Sequence, residues 1–214
     1  YVRGRSDIIV ILAVTGLRSA IFNAIPADLK AAIQARPDAI LMPKVSSPAV
    51  LESIANHLEA LDAPESIAVW AMIETPAAIL NIQEIAKAQR DRRTRLTCFV
   101  LGTNDLAKDT WAQLVPGRVP MLPWIMMSLA AARAEGLTIL DGVWNDISDV
   151  DGCREECRQA RDLGFDGKTL IHPNQLEPAN TCFAPTDEEV RRARAEIPYL
   201  DQRRPDLYSR WERG

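Results

Sequence analysis

Residues 67–76 read IAVWAMIETP, an apolar run that closes in the carboxylate Glu74 and passes directly into Thr75 and Pro76. Threonine followed by proline suits the N-cap and first position of a helix. Similar apolar runs recur about every thirty residues, with helix-like stretches between them. The six runs are Ile8–Val14, Ala39–Met42, Ile67–Ile73, Thr97–Leu101, Thr138–Leu140 and Gly167–Ile171. This repeat predicts an α/β fold with six parallel strands in sequence order.

The composition narrows the class of protein. A chain of 214 residues is typically one domain, and 47% hydrophobic residues are enough for a core. The net charge is −4, and no basic stripe alternates with aromatic residues, so we expect no nucleic-acid partner. The longest apolar run, Ile8–Val14, is too short to span a bilayer or to act as a signal peptide. We therefore expect a cytoplasmic protein with no membrane partner.

The cysteines do not indicate a metal site. Their spacings match no zinc pattern, and the sequence has only two histidines. The four are Cys98, Cys153, Cys157 and Cys182. We expect free thiols, as in a reducing compartment, with Cys153 and Cys157 one helical turn apart.

Local signals mark helix boundaries and one irregular segment. Residues 186–189 form a capping box that predicts a helix start. The proline-rich segment Lys108–Pro123 predicts a long loop after the fourth strand, either a lid or substrate wall or a surface excursion. We divide the chain into a barrel domain, residues 1–185, and a C-terminal helix and tail, residues 186–214.

Two carboxylates close successive predicted strands. Glu74 follows the third run, and Asp105 follows the fourth within LGTNDL, residues 101–106. The carboxyl ends of parallel strands share one edge, and neighbouring strands lie about 4.8 Å apart, so the two acids would repel without a cation. Magnesium suits such a pair, because it takes one or two carboxylates plus water or substrate oxygens. Alternatively, Glu74 is a helix N-terminal acid and Asp105 a turn residue.

Further polar residues follow the strand ends. Gly102, Thr103 and Asn104 would let backbone amides approach an anionic substrate, or they form an ordinary turn. Lys44 either faces an anionic substrate or is solvated. Asp141 and Asp146 either line the edge or form the turn after the fifth run, a turn being favoured for Asp146.

His172 precedes a proline, which favours a structural hydrogen-bonding role over proton transfer. The sequence therefore identifies no catalytic residue.

Four segments resemble the citrate lyase β-subunit-like branch of the HpcH/HpaI aldolase superfamily. They are PDAILMPKV (37–45), MIETP (72–76), LGTNDL (101–106) and LGFDGKTLIHPNQ (163–175). The resemblance covers about residues 8–197 and implies a TIM-barrel fold, Mg²⁺, and a CoA thioester as substrate. Citryl-CoA, malyl-CoA and β-methylmalyl-CoA are typical of that family. It also implies that Glu74 and Asp105 bind the metal and that the chain forms a homo-oligomer, a trimer or hexamer.

The chain also departs from that family's pattern. The family's first two strands have no counterpart, and Ala13 stands in the register of an arginine that holds the substrate carboxylate, with Arg18 nearby but out of register. We expect an incomplete TIM (β/α)8 barrel of about six units. The expected activity is a magnesium-dependent carbon–carbon lyase that releases an acyl-CoA and a small oxo acid. The alternatives are a malyl-CoA-type thioesterase and a non-catalytic truncated paralogue or subunit.

Overall fold

The structure, a computed structural model, describes residues 29–192 and Ala195. The first predicted strand, Ile8–Val14, lies outside the described residues, as do Ala13 and Arg18 within and near it. So does most of the segment 186–214, and the division into two domains stays a prediction.

The described residues form a parallel sheet of five strands whose spatial order equals their sequence order. The strands are β1 (Ala39–Met42), β2 (Ala68–Ile73), β3 (Leu96–Leu101), β4 (Thr138–Asp141) and β5 (Gly167–Lys168). This arrangement confirms the α/β class and five of the predicted strands. The last predicted run was too long, because strand pairing with β4 ends at Lys168. A parallel sheet in sequence order is the arrangement of successive (β/α) units in a barrel.

Seven α-helices with defined bounds connect or flank these strands in the described part of the chain. They are α1 (Pro48–Ala60), α2 (Pro76–Leu80), α3 (Ile82–Lys87), α4 (Thr103–Thr110), α5 (Leu122–Ala134), α6 (Val150–Leu163) and α7 (Leu176–Phe183). Residues 29–34 and 187–192 are also helical. None of the helices found in the described residues is long and apolar enough to cross a membrane.

Several helix signals are confirmed in atomic detail. The Thr75 hydroxyl accepts a hydrogen bond from the Ala78 N–H at 3.1 Å, and α6 ends at Gly164 with φ of 103°. In the capping box, the Glu189 carboxylate accepts from the Thr186 N–H at 2.6 Å, and the Glu189 N–H returns a bond to the Thr186 hydroxyl at 3.2 Å. These contacts are local in sequence, which is why the sequence predicts them.

Two expectations need correction. The helix that the sequence predicts from Thr75 and Pro76 onward is two helices rather than one, because it is interrupted at Asn81, whose side-chain amide donates to the Ser46 carbonyl at 3.0 Å. The loop predicted over Lys108–Pro123 is shorter, since α4 continues through Thr110 and α5 begins at Leu122. Pro116 and Pro123 occupy the first turns of a 3₁₀ helix, Pro116–Met121, and of α5, where a missing N–H costs nothing, whereas Pro120 lies inside the 3₁₀ helix.

Both faces of the sheet are apolar, as in parallel sheets covered on both sides. One face packs against the helices through residues including Val69, Ala71, Ile73, Phe99 and Ile139. The other face carries buried Leu41, Cys98 and Val100, beside partly buried Trp70, Met72 and Leu140.

Candidate metal and substrate site

Three charged side chains meet where β1, β2 and β3 end. The Lys44 ammonium donates to Asp105 Oδ2 at 2.8 Å and lies 3.9 Å from Glu74 Oε2. The edge that the sequence predicted therefore exists, and it brings both candidate metal ligands to one point.

The turn after β1 aims Lys44 at this point. Lys44 has a left-handed backbone with φ of 54°, a conformation that costs free energy for a residue with a Cβ. In that conformation its backbone N–H donates to Glu74 Oε1 at 2.7 Å. Lys44 is thus bound to Glu74 through its backbone and to Asp105 through its side chain.

Gly102 makes room for the Glu74 side chain. A Cβ added at this position would overlap the Cβ of Glu74 and lie 3.0 Å from Glu74 Oε2. The Gly102 N–H donates to the Ile73 carbonyl at 2.9 Å, so the sheet already uses that donor. The structure thus gives this glycine a role in placing the Glu74 carboxylate.

Thr103 and Asn104 lie in the first turn of α4 and face the segment after β4. Thr103 is buried, and its hydroxyl lies so close to Gly142 that a Cβ there would come within 2.6 Å. Asn104 and Asn145 exchange two amide hydrogen bonds, each of 2.8 Å. Asn145 was not singled out from the sequence, although it lies in the polar segment directly after β4. Contact of Thr103 and Asn104 with a substrate stays a prediction.

The two acids differ in their affinity for a proton. The pKa of Glu74 is raised to about 7, chiefly by burial, while the hydrogen bond from the Lys44 N–H opposes the shift and the neighbouring Asp105 adds to it. The hydrogen bond from Lys44 lowers the pKa of Asp105 below its ordinary value. One proton or one cation therefore satisfies this pair, and metal binding would release the proton from Glu74.

The donor set fits magnesium. Glu74 and Asp105 already hold one cation, the ammonium of Lys44, which shows that their oxygens converge on a positive charge. Within residues 29–192 and Ala195, no three His, Cys, Asp or Glu side chains group in a way that could hold a metal ion by themselves. Two carboxylates leave positions for water and substrate, which is the usual habit of Mg²⁺ and unlike a closed zinc site.

A second charged cluster, the buried ion network, lies between the sheet and α6. Asp141 accepts two hydrogen bonds from Arg118 Nη1, at 2.7 and 2.8 Å. Lys168 donates to Asp141 Oδ2 at 2.8 Å and to Glu156 Oε1 at 2.6 Å. Arg118 also donates to Gln159 at 2.8 Å, while its Nη2 has no partner among the described residues. The network fixes the 3₁₀ helix Pro116–Met121 to the sheet.

The sequence did not predict this network. Asp141 neither lines the edge nor forms a turn, because its side chain is fully buried on the helix-facing side of the sheet. Arg118, Glu156 and Lys168 were missed. The local signal available in the sequence was a lysine inside a predicted strand, Lys168, because a lysine buried there needs an acidic partner.

Two polar residues take the structural roles that the sequence favoured. Asp146 accepts from the Ser148 hydroxyl at 2.5 Å and from the Ser148 N–H at 2.9 Å in a turn, and these two bonds lower its pKa. His172 caps the short 3₁₀ helix Pro173–Gln175, where its Nδ1 accepts from the Asn174 N–H at 3.3 Å.

The cysteines are free and buried. Cys153 and Cys157 lie side by side with Cys182 in an apolar cluster. Burial raises the pKa of the Cys157 thiol to about 12, which makes it unreactive.

Fold and site define a parallel α/β protein in which two carboxylates meet at one edge of the sheet. The family model for HpcH/HpaI aldolase/citrate lyase matches residues 10–173. The chain belongs to this family, which confirms the resemblance seen in the sequence.

Curated relatives of this chain are named either as a thioesterase or as a lyase subunit. The (3S)-malyl-CoA thioesterase of Cereibacter sphaeroides (strain ATCC 17029 / ATH 2.4.9) is 48% identical over 176 residues, covering 82% of this chain and 58% of that protein. The citrate lyase β subunit of Escherichia coli (strain K12) is 30% identical over 172 residues, covering 78% of this chain and 56% of that protein. The chain thus spans somewhat more than half the length of these relatives.

Solved structures share the fold. The protein CitE of Mycobacterium tuberculosis, crystallised with magnesium and pyruvate, matches with a TM-score of 0.61 and 24% identity, over 85% of this chain and 82% of that chain. At this identity the likeness concerns the fold alone.

Proposed function

We propose that this chain acts on a CoA thioester of the malyl-CoA type, with Mg²⁺ held by Glu74 and Asp105, and that it hydrolyses the thioester. The observation that carries the proposal is the convergence of these two carboxylates on one cation at the strand edge. The name of the relative at 48% identity, a malyl-CoA thioesterase, supports the substrate class and hydrolysis.

Each residue of the edge has a distinct part in this proposal. Glu74 and Asp105 bind the cation and orient it. A bound Mg²⁺ would act as a Lewis acid that stabilises negative charge on a substrate oxygen. Lys44 supplies a single positive charge for an anionic oxygen of the substrate. Asn104, fixed by Asn145, offers an amide to the polar part of the hydroxy acid.

The carbon–carbon lyase predicted from the sequence is the second candidate. Relatives named citrate lyase β subunit favour it, at 29–30% identity. In either reaction Glu74 and Asp105 would hold the metal, which would supply a Lewis acid for oxygens of the hydroxy acid, so the edge suits both. They differ in the bond that breaks: the thioester bond in hydrolysis, or the bond between two substrate carbons in the lyase.

The products of malyl-CoA, citryl-CoA and β-methylmalyl-CoA, each incubated with Mg²⁺ or with a chelator, test the proposal. Free CoA thiol without an oxo acid supports hydrolysis, and an oxo acid with an intact acyl-CoA supports the lyase. We expect the substitutions Glu74→Ala and Asp105→Ala to abolish turnover, while Glu52→Ala, at an exposed acid of α1, leaves it unchanged. A wild-type chain without turnover favours the non-catalytic reading.

The homo-oligomer expected from the resemblance stays a prediction. Trp70, Met72 and Leu140 are only partly buried on the sheet face opposite the helices, which leaves apolar surface for a partner subunit. Light scattering coupled to size-exclusion chromatography at micromolar concentration measures the assembly directly, and a stable monomer would contradict the prediction.

A further inference from the structure

Lys44 occupies the position that a bound cation would take. Its ammonium lies 2.8 Å from Asp105 Oδ2 and 3.9 Å from Glu74 Oε2, the same two carboxylates that we propose as metal ligands. The ammonium is therefore the counterion of this site. A divalent ion binds carboxylate oxygens at about 2.1 Å, so an ammonium in the same place leaves no room for it.

The Lys44 side chain is able to leave. It is 41% exposed, and moving its ammonium toward solvent breaks one hydrogen bond, the one to Asp105. Its backbone N–H bond to Glu74 Oε1, at 2.7 Å, does not depend on where the side chain lies. The turn would thus keep Glu74 in place while the ammonium moves.

We propose that Lys44 is an exchangeable counterion, which the divalent cation displaces from Glu74 and Asp105 when it binds. The released ammonium then lies next to the bound cation and takes an anionic oxygen of the substrate. This inference rests on the proposed function for the identity of the two metal ligands. It adds that the Lys44 ammonium competes with the metal for the two carboxylates, and that Lys44 binds the substrate anion once it is displaced.

The competition predicts that one substitution, Lys44→Met, strengthens metal binding and weakens substrate binding. In Lys44→Met no cation has to be displaced, so affinity for Mn²⁺ or Mg²⁺ should rise by about three- to tenfold, the scale of one partly exposed ion pair. The same substitution removes a contact to the substrate anion, so KM should rise by about tenfold or more. A lysine that only binds substrate would raise KM without changing metal affinity.

Lys108→Met is the matched control. Lys108 also acts on Asp105 through its charge, but it is an exposed residue of α4, and no hydrogen bond to Asp105 is found for it. Its substitution removes the same charge from the surroundings of the site without emptying the position between the carboxylates. We expect a change in metal affinity of less than about twofold for this variant.

Titration with Mn²⁺, followed by electron paramagnetic resonance at constant pH and ionic strength, tests the inference on wild type, Lys44→Met, Lys108→Met and Asp105→Asn. Tighter binding in Lys44→Met than in Lys108→Met supports it. If Asp105→Asn loses metal binding while Lys44→Met binds metal as the wild type does or more weakly, the metal site stands but the proposed role of Lys44 is wrong. A wild type that binds no Mn²⁺, or binds it equally well as Asp105→Asn, overturns the metal site and the inference together.

Acetylation of the wild-type protein gives a readout that needs no variant to fold. We expect Mg²⁺ to increase the rate at which Lys44 is acetylated, measured by mass spectrometry, because the displaced ammonium loses its carboxylate partners. Lys108 serves as the internal reference. If Mg²⁺ leaves the acetylation rate of Lys44 unchanged or lowers it, relative to that of Lys108, the displacement is contradicted.

Discussion

Two lysines near the carboxyl ends of the same sheet each hold two carboxylates, in opposite surroundings. Lys44, at the end of β1, lies near Glu74 and Asp105 with 41% of its side chain exposed. Lys168, in β5, lies between Asp141 and Glu156, and its side chain is fully buried. Lys168 donates to both of its acids, at 2.8 and 2.6 Å, whereas Lys44 donates to Asp105 at 2.8 Å and lies 3.9 Å from Glu74, so Lys44 is held less tightly.

Charge balance and exposure separate the two lysines. The buried ion network contains two cations, Arg118 and Lys168, for two acids, and water has little access to it. The strand edge contains one lysine for two acids and is open. Of these two clusters, the edge is therefore the one whose cation is open to exchange, whereas the network stabilises the fold.

Asp141→Ala should produce the largest loss of stability. It leaves Arg118 and Lys168 buried with one fewer acid, and breaking such a pair costs about 3–5 kcal/mol. Asp105→Ala, at the exposed ion pair of the edge, should change the free energy of unfolding by less than about 1 kcal/mol. Urea denaturation of both variants measures this contrast. Equal losses would mean that the edge is as structural as the network.

The pH dependence of stability should come from the edge. The folded-state pKa of Glu74, about 7, exceeds its ordinary value of 4.5, so the folded protein binds a proton that the unfolded chain releases between these two values. In chelator, the free energy of unfolding should therefore fall as pH rises from about 4.5 to 7 and level off above.

Denaturation midpoints across this pH range check that slope, and Glu74→Gln should flatten it. Excess Mg²⁺ should stabilise the protein more at pH 8 than at pH 5.5, because binding requires ionised Glu74. The same slope in Glu74→Gln would assign it to other groups.

Gly102→Ala should displace the Glu74 side chain through a steric clash, without changing any charge. The new methyl group would overlap the Glu74 side chain, at a cost of about 1–3 kcal/mol, and should weaken metal binding by displacing that carboxylate. Gly167→Ala is the control, because its Cβ would meet only the flexible end of Leu140, at 3.2 Å. Calorimetric Mg²⁺ titration of both variants separates them, and unchanged affinity in Gly102→Ala would show that Glu74 is not a ligand.

Thr75→Ala should have the smallest effect. It removes the cap that the Thr75 hydroxyl provides for the Ala78 N–H, worth about 1 kcal/mol. Metal affinity should stay within about twofold of wild type, since the N–H bond from Lys44 still holds Glu74. Thr75→Ser should recover the lost stability in thermal denaturation. A Thr75→Ala variant that unfolds normally but no longer binds metal would show that the cap, too, positions Glu74.

The sequence by itself determined the features that rest on local patterns. The apolar run Ala39–Met42 became a strand with unchanged bounds, the next three runs became strands whose bounds differ by one residue, and caps such as Thr75 and the box at Thr186 formed as predicted. The meeting of Glu74 and Asp105 was also predictable, because the end of a parallel strand fixes the edge on which its last residue lies. These features depend on residues only a few positions apart, or on strand order alone.

Only the tertiary structure decided which charged groups pair and how deeply they are buried. Arg118 and Asp141 are 23 positions apart, and Lys44 and Asp105 are 61 positions apart. No local pattern gives the direction of these side chains, the left-handed turn at Lys44, or the burial that raises the pKa of Glu74. Such properties depend on distant chain segments packed together, because an ion pair or a desolvated carboxylate is defined by its surroundings in space.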